Sequence, residues 1–293
     1  MIRVAGGARP LRSPLLRALP GLLAAAGLAL GCRPEPRPAA QSLAAPRRVV
    51  TLAPNLTEIV FALGAGGCLV GVSEYSDYPE AARAIPRVGG LEIDPEKVAA
   101  LRPDLVLAVA EGNASGSVRA LEAAGLPVTV TPSGSLDAVL ESIRIVAGRL
   151  GRPEEGRRLV EDLSRRRAAV RARVAGRPRP QALLLVWPDP PQAAGAETFL
   201  NDLLTEAGAA NIVGDRRGWP ILSGEYVATA PVELLVAPDS VETRPAWDRA
   251  FATGALSRGP IARARRVRLD EAALTRPGPR VFDTLEQLAG ATR

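Results

Sequence analysis

The chain has 293 residues, 47% of them apolar and only 3% aromatic, so it can fill two cores and its few rings can be placed one by one. Its formal charge is +6, and it contains no histidine. That absence excludes histidine acid–base chemistry, Ser-His-Asp triads and imidazole metal ligation, and favours tyrosine over the other side chains as a haem axial ligand.

Residues 1–31 carry Arg3, Arg9, Arg12 and Arg17, no acids, and the apolar run Gly21–Leu30. A run of about ten residues suits a signal peptide, whereas a bilayer span takes about 20. Leu28-Ala29-Leu30-Gly31-Cys32 resembles a lipobox, in which cleavage precedes Cys32 and its thiol receives diacylglycerol. An ordinary signal peptide with an incidental cysteine is the alternative. Loss of these four arginines takes the charge from +6 to +2. The remaining basic runs, Arg165–Arg167 and Arg263–Arg268, lack interleaved aromatics and read as solvated faces rather than a nucleic-acid site. Residues 32–46, rich in Pro, Ala and Arg, read as a flexible tether.

From residue 47 short apolar strands alternate with helices, which argues for a parallel α/β lobe over 47–132. Arg48–Leu52 is the first strand. Asn55 is the expected N-cap of a helix that Gly64-Ala65-Gly66 stops. Cys68, at the entry to the strand Leu69–Val72, reads as a packed free thiol. Strands at Leu105–Val109 and Pro127–Val130 flank a helix over 116–124. Residues 133–178 carry no strand signal. From Pro153, well placed to open a helix, Leu159, Leu163, Val170 and Val174 mark an apolar stripe that predicts a rod of about 34 Å. Residues 179–293 repeat the α/β pattern, with strands at Ala182–Val186, Val232–Val236 and Arg266–Leu269 and a terminal helix over 279–290.

One pattern occurs twice. Asp94-Pro95-Glu96-Lys97-Val98 leads through Pro103 into an apolar strand, and Ser223-Gly224-Glu225-Tyr226-Val227 leads through Pro231 into another. Each is a short helix opening with a glutamate and followed by a buried strand. Two such units in one chain suggest two similar lobes, with a ligand cleft between them.

Arg47–Glu58 resembles the opening of the helical-backbone periplasmic binding proteins, which deliver cobalamin, haem or ferric siderophores to ABC importers. Val70–Pro79, with its Tyr75-Ser76-Asp77-Tyr78-Pro79 stretch, is most similar to the cobalamin-binding branch. The resemblance covers residues 47–293. It implies an α/β fold of two Rossmann-like lobes joined by one long backbone helix (a class III periplasmic binding protein fold). It also implies a monomeric, exported and lipid-anchored protein, without enzymatic activity, that passes a corrinoid to a permease and its ATPase. Glu96 and Glu225 match the outward glutamates that pair with permease arginines. The bland reading of both is a helix-start acid favoured by the helix dipole.

A corrin is a broad apolar plate with amides at its rim, so its site needs flat side chains and a few edge polar groups. Tyr75, Tyr78, Trp187 and Trp219 lie in loops where cleft residues are expected, and the resemblance points to one of the two tyrosines with both tryptophans. Arg276 and Asp270 match loosely an acid–arginine pair that touches ligand, while Pro54 and Asn113 are further cleft residues. Trp247, beside Phe251, is assigned to the core. The chain departs from the cobalamin pattern where relatives carry first-lobe tryptophans, having Gly90 or Leu91 and Val109 instead. A haem reading would use Tyr75, Tyr78 or Tyr226 as ligand, and a siderophore reading would want more cleft arginines. An envelope enzyme lacks support from any histidine, metal-ligand cluster, phosphate loop or Gly-x-Ser-x-Gly, and a lipid-anchored scaffold is the remaining alternative.

Overall fold

The computed structural model describes residues 45–90, 92–113 and 115–293. The expected signal peptide, Cys32, the tether up to residue 44 and Leu91 lie outside the described residues.

The first half builds a four-stranded parallel sheet. Its strands are β1 (Val49–Thr51), β2 (Leu69–Val72), β3 (Leu105–Val109) and β4 (Val128–Thr131), in the order β2-β1-β3-β4. Helices α1 (Pro54–Ala62), α2 (Pro95–Ala100) and α3 (Ser115–Ala123) cross between them. Helix α2 starts where it does because Asp94 accepts hydrogen bonds from the Glu96 and Lys97 amides at 3.1 Å, with Pro95 in the first turn. Asn55 is not the N-cap of α1. Ala53 holds that place, and the Asn55 amide donates instead to the Pro277 carbonyl at 3.3 Å.

Two helices separate the halves: α4 (Leu136–Arg149) and α5 (Pro153–Val174). The 22 residues of α5 make a rod of about 33 Å. The second half adds β5 (Gln181–Pro188), β6 (Pro191–Ala193), α6 (Phe199–Glu206), β7 (Ala210–Asn211), α7 (Gly224–Thr229) and β8 (Leu234–Asp239). After these come α8 (Arg244–Ala252), α9 (Gly259–Arg263), β9 (Arg265–Asp270), α10 (Glu271–Thr275) and α11 (Val281–Ala291). Strands β5, β7, β8 and β9 are parallel, while β6 returns antiparallel on β5. Ser223 caps α7, accepting from the Tyr226 amide at 3.1 Å, so both halves repeat one capped helix before an inner strand.

Burial explains why the strands read as unbroken apolar runs. Val49 and Leu107 face a core shared with Leu184 and Val236 of the other sheet, while Val50 and Val106 face α2 and α3. Likewise Leu183 and Leu235 pack on Val227 and Trp247. With period 2, both faces of each sheet are covered. The shared core draws in α1, α4, α5, α6 and α11, so one apolar cluster runs through both halves. Trp247 is fully buried and stacks on Phe251, as expected. Cys68 is half-buried, its thiol donates to the Ala65 carbonyl, and burial pushes its pKa up.

The three-arginine run of α5 is not one solvated face. Gly156, Val160, Leu163, Arg167 and Val170 recur at helical spacing and are buried, so Arg167 occupies a core-facing position. Its guanidinium donates to Glu206 of α6 at 2.7 Å and 3.0 Å, and to Asp137 of α4. Arg166 pairs with Asp283 and Glu286 of α11, leaving only Arg165 solvated. The Arg167 hydrogen bond holds the Asp137 carboxyl below its usual range. Burial pushes Glu206 up, but its bonds to Arg167 and Arg171 outweigh that and hold it low. The Arg263–Arg268 run, by contrast, is exposed, with Arg266 lying over the Phe251 ring.

Arg167→Met keeps the aliphatic volume but leaves Glu206 with Arg171 alone. We expect a loss of about 2–4 kcal/mol in urea denaturation. A loss below about 1 kcal/mol would show that the buried network is not holding α4 to α6.

Candidate functional site

A cavity of about 330 Å³ opens between the halves. In the first half it is bounded by the carboxyl ends of the parallel strands: Leu52 after β1, Ser73 after β2, Val109 closing β3 and Ser133 after β4. Ligands are expected there in open α/β sheets. The second half supplies Thr198, Phe199, Trp219 and the segment Thr275–Pro277.

Of the residues expected from sequence, Tyr75, Trp219, Pro54, Asn113 and Arg276 line this cavity. Tyr75 is 54% exposed and Trp219 44%, an unusual cost for rings unless something covers them. A Cβ built on Gly90 would lie 3.2 Å from the Tyr75 ring, so the tyrosine occupies the space that a side chain at position 90 would need. Asn113 is committed to the fold. Its Oδ1 accepts from the Val109 amide at 2.8 Å and its Nδ2 donates to the Leu52 carbonyl at 2.9 Å, tying the ends of β1 and β3 together.

Three expected ligand residues lie outside the cavity lining. Trp187 is 42% exposed but sits on the antiparallel β5–β6 hairpin, and its indole N–H donates to the Asp189 carbonyl at 2.8 Å. Tyr78 lies under the Arg280 guanidinium, 3.9 Å from its ring centre. Asp270 caps α10, accepting from the Ala273 amide at 2.8 Å. Arg276 does have an acidic partner, but it is Asp77 of the first half rather than Asp270. Asp270 instead lies 3.8 Å from Arg280. Tyr226 also lies outside the cavity lining, with its hydroxyl donating to the Ile212 carbonyl.

The acid–arginine pairs join the halves beside the cavity. Arg280 donates to Glu58 of α1 at 2.6 Å and 3.0 Å, and Glu58 is buried. Gly278 lets the second-half loop approach, since a Cβ there would lie 3.3 Å from Glu58 Oε2. Burial pushes the Glu58 carboxyl above its usual 4.5 despite Arg280. For Asp77, burial acts upward but the Arg276 bond prevails, so its carboxyl is held below the usual range. Sequence reading missed Glu111, Ser133, Glu197 and Phe199 of the lining. For Glu111 the available signal was its place just after a buried parallel strand.

Residues 49–267 match the family described as periplasmic binding protein. The chain belongs to that family. It is 30% identical over 257 residues to an uncharacterised ABC transporter substrate-binding lipoprotein, YvrC, of Bacillus subtilis (strain 168), spanning 83% of this chain and 79% of the relative. It is 35% identical over 197 residues to the vitamin B12-binding protein of Salmonella typhimurium, spanning 66% and 73%. Among solved structures, the periplasmic haem-binding protein RhuT of Roseiflexus sp. RS-1 superposes with a TM-score of 0.77 at 31% identity, covering 84% of this chain and 97% of that one. The vitamin B12-binding protein BtuF of Vibrio cholerae gives 0.74 at 26% identity, covering 84% and 96%. The two Rossmann-like lobes on one backbone helix are thus the class III periplasmic binding protein fold, and the chain is a substrate-binding protein of ABC transport.

Arg280→Met strands Glu58 as a buried carboxylate, which should cost about 3–5 kcal/mol at pH 7. The raised folded pKa means that the folded chain holds this proton more tightly than the unfolded chain. Stability from this group is therefore greatest below the unfolded value and falls as pH rises through the folded value. The deficit of the variant relative to the parent should shrink on going from pH 7 to about pH 4 in urea denaturation. A deficit that stays constant or grows in acid contradicts the assignment.

Proposed function

We propose that this periplasmic binding protein captures cobalamin or a related corrinoid between its halves and hands it to an ABC permease and its ATPase. One observation carries the ligand class: the cavity exposes the flat rings of Tyr75 and Trp219, and its one lining cation among the described residues, Arg276, is already paired with Asp77. Such a site offers ring faces and apolar edges rather than a free cation. That suits a neutral plate with amides at its rim. The similarity to vitamin B12-binding relatives supports the same reading.

Haem is the second reading, favoured by the RhuT likeness and by Tyr75, which lines the cavity and whose hydroxyl has no hydrogen-bond partner among the described residues. Tyr75 would then be the iron ligand, since Tyr78 and Tyr226 are engaged elsewhere. Titration of the lipid-free protein decides between them. Cyanocobalamin should quench tryptophan fluorescence at 1:1, and Trp219→Ala should weaken it about tenfold or more. Tighter binding of haemin, with a tyrosinate spectrum lost in Tyr75→Phe, would favour haem.

Glu96 and Glu225 are the proposed permease contacts. Each is exposed at the second position of a short capped helix, and neither has a cation partner among the described residues. Two carboxylates on separate lobes give orientation to a basic partner. Cys32 is the proposed lipid anchor. In membranes, Glu96→Arg with Glu225→Arg should abolish stimulation of the transporter ATPase while leaving ligand affinity unchanged, and the extracted parent should carry a diacylglycerol mass on Cys32. Normal stimulation by the double variant removes the docking role, and an unmodified Cys32 removes the anchor.

A further inference from the structure

Three charged side chains among the described residues line the cavity: Glu111, Glu197 and Arg276. Two of them are balanced. Arg276 is paired with Asp77, and Glu197 lies 3.1 Å from Arg217. Glu111 has no cation partner among the described residues. It projects from the loop after β3, and its Oε2 accepts both the Ser133 amide and the Ser133 hydroxyl at 2.8 Å. Oε1 makes no hydrogen bond among the described residues. It lies along the bare backbone of Gly134, where a Cβ would come within 3.3 Å of it. The carboxylate is thus fixed on one oxygen and open on the other.

We propose that Glu111 is a charge-selecting residue. It accepts a hydrogen bond from a primary amide or other neutral N–H donor at the ligand rim, and it rejects ligands that present a carboxylate there. The proposal deepens the corrinoid reading and rests on it for the identity of the amide. The discrimination itself concerns the chemistry of the cleft. A fixed carboxylate facing a rim amide gains a charge-assisted hydrogen bond. The same carboxylate facing a rim carboxylate meets like charge once the bound plate covers it, with Arg276 already paired with Asp77. Exclusion of tetrapyrrole propionates and acceptance of corrin amides then come from one atom. The tyrosine and tryptophan faces, which would stack equally on either plate, contribute affinity without making that distinction.

The test compares the parent with Glu111→Gln. Glutamine keeps one oxygen for the Ser133 bonds, so the variant should melt with the parent. Cyanocobalamin and its monocarboxylic derivatives, in which one rim amide is hydrolysed, are titrated by tryptophan quenching at low and high salt. In the parent, the amide form should bind at least about tenfold tighter than the derivative whose carboxylate meets Glu111. In Glu111→Gln that ratio should fall toward unity through tighter binding of the acid, and in the parent it should narrow in high salt. Haemin supplies an independent arm, because its propionates should bind Glu111→Gln at least about tenfold tighter than the parent. If the parent binds cyanocobalamin and every ratio is unchanged by Glu111→Gln, the selector role is overturned and the corrinoid reading stands. If the parent ignores all corrinoids yet haemin binding improves in the variant, the corrinoid reading falls and the selector stands. Unaltered haemin binding together with no corrinoid binding overturns both.

Discussion

The constraint on which the rest depends is that both sheets bury one face in the same apolar cluster. Val49 and Leu107 on one side and Leu184 and Val236 on the other meet α4, α5, α6 and α11 in a single core. Two lobes with separate cores could hinge freely about a linker. Two lobes that share a core cannot open widely without exposing apolar surface at about 25 cal/mol per Å². The strand ends are therefore held apart at a set width, and the cavity between them exists before any ligand arrives. A preformed site avoids much of the ordering cost of binding.

Charge fixes the same spacing where apolar packing stops. Arg167, buried on the connecting helix α5, takes Asp137 from the other connecting helix, α4, and Glu206 from the second-half helix α6. On the cavity side, Glu58 with Arg280 and Asp77 with Arg276 cross from one half to the other. The buried pairs among these, Arg167 with Glu206 and Arg280 with Glu58, add little over well-packed apolar groups, yet removing one partner is expensive. Their value here is geometric, since a guanidinium clamps two oxygens in one plane and so defines which helix faces which.

Periodicity and punctuation made the fold legible. Alternation of strand and helix, Pro153 at the start of α5, and the twice-used capped helix with its glutamate were all visible in the chain. The site was legible only in part, for identifiable reasons. Tyr75, Trp219 and Pro54 follow parallel strands or open a helix beside them, so strand ends predict their place. Trp187 lies within the end of β5, where β6 returns antiparallel, and its indole stays out of the lining, which a run of Asp and Pro does not announce. Arg276 meets Asp77 across 199 residues, and no local spacing encodes such a pairing. The Arg165–Arg167 run was misread because composition treats three arginines alike, whereas a helix turns each to a different face.

These commitments determine how the cavity can hold anything. Both functional groups of the Asn113 side chain are spent on the ends of β1 and β3, the Ser133 hydroxyl donates to Glu111, and Arg276 faces Asp77. Few polar atoms in the lining remain free to grip a ligand. Affinity must then come from area, above all from the exposed rings of Tyr75 and Trp219, and selectivity from the few polar atoms still open. Those rings are flat and polarisable and stack on any large conjugated plate. A cleft built this way tolerates variation in the plate while remaining sensitive to what is attached at the rim. The small residues Gly90 and Val109 widen that tolerance, because Tyr75 covers the glycine and nothing bulkier than valine stands at the end of β3.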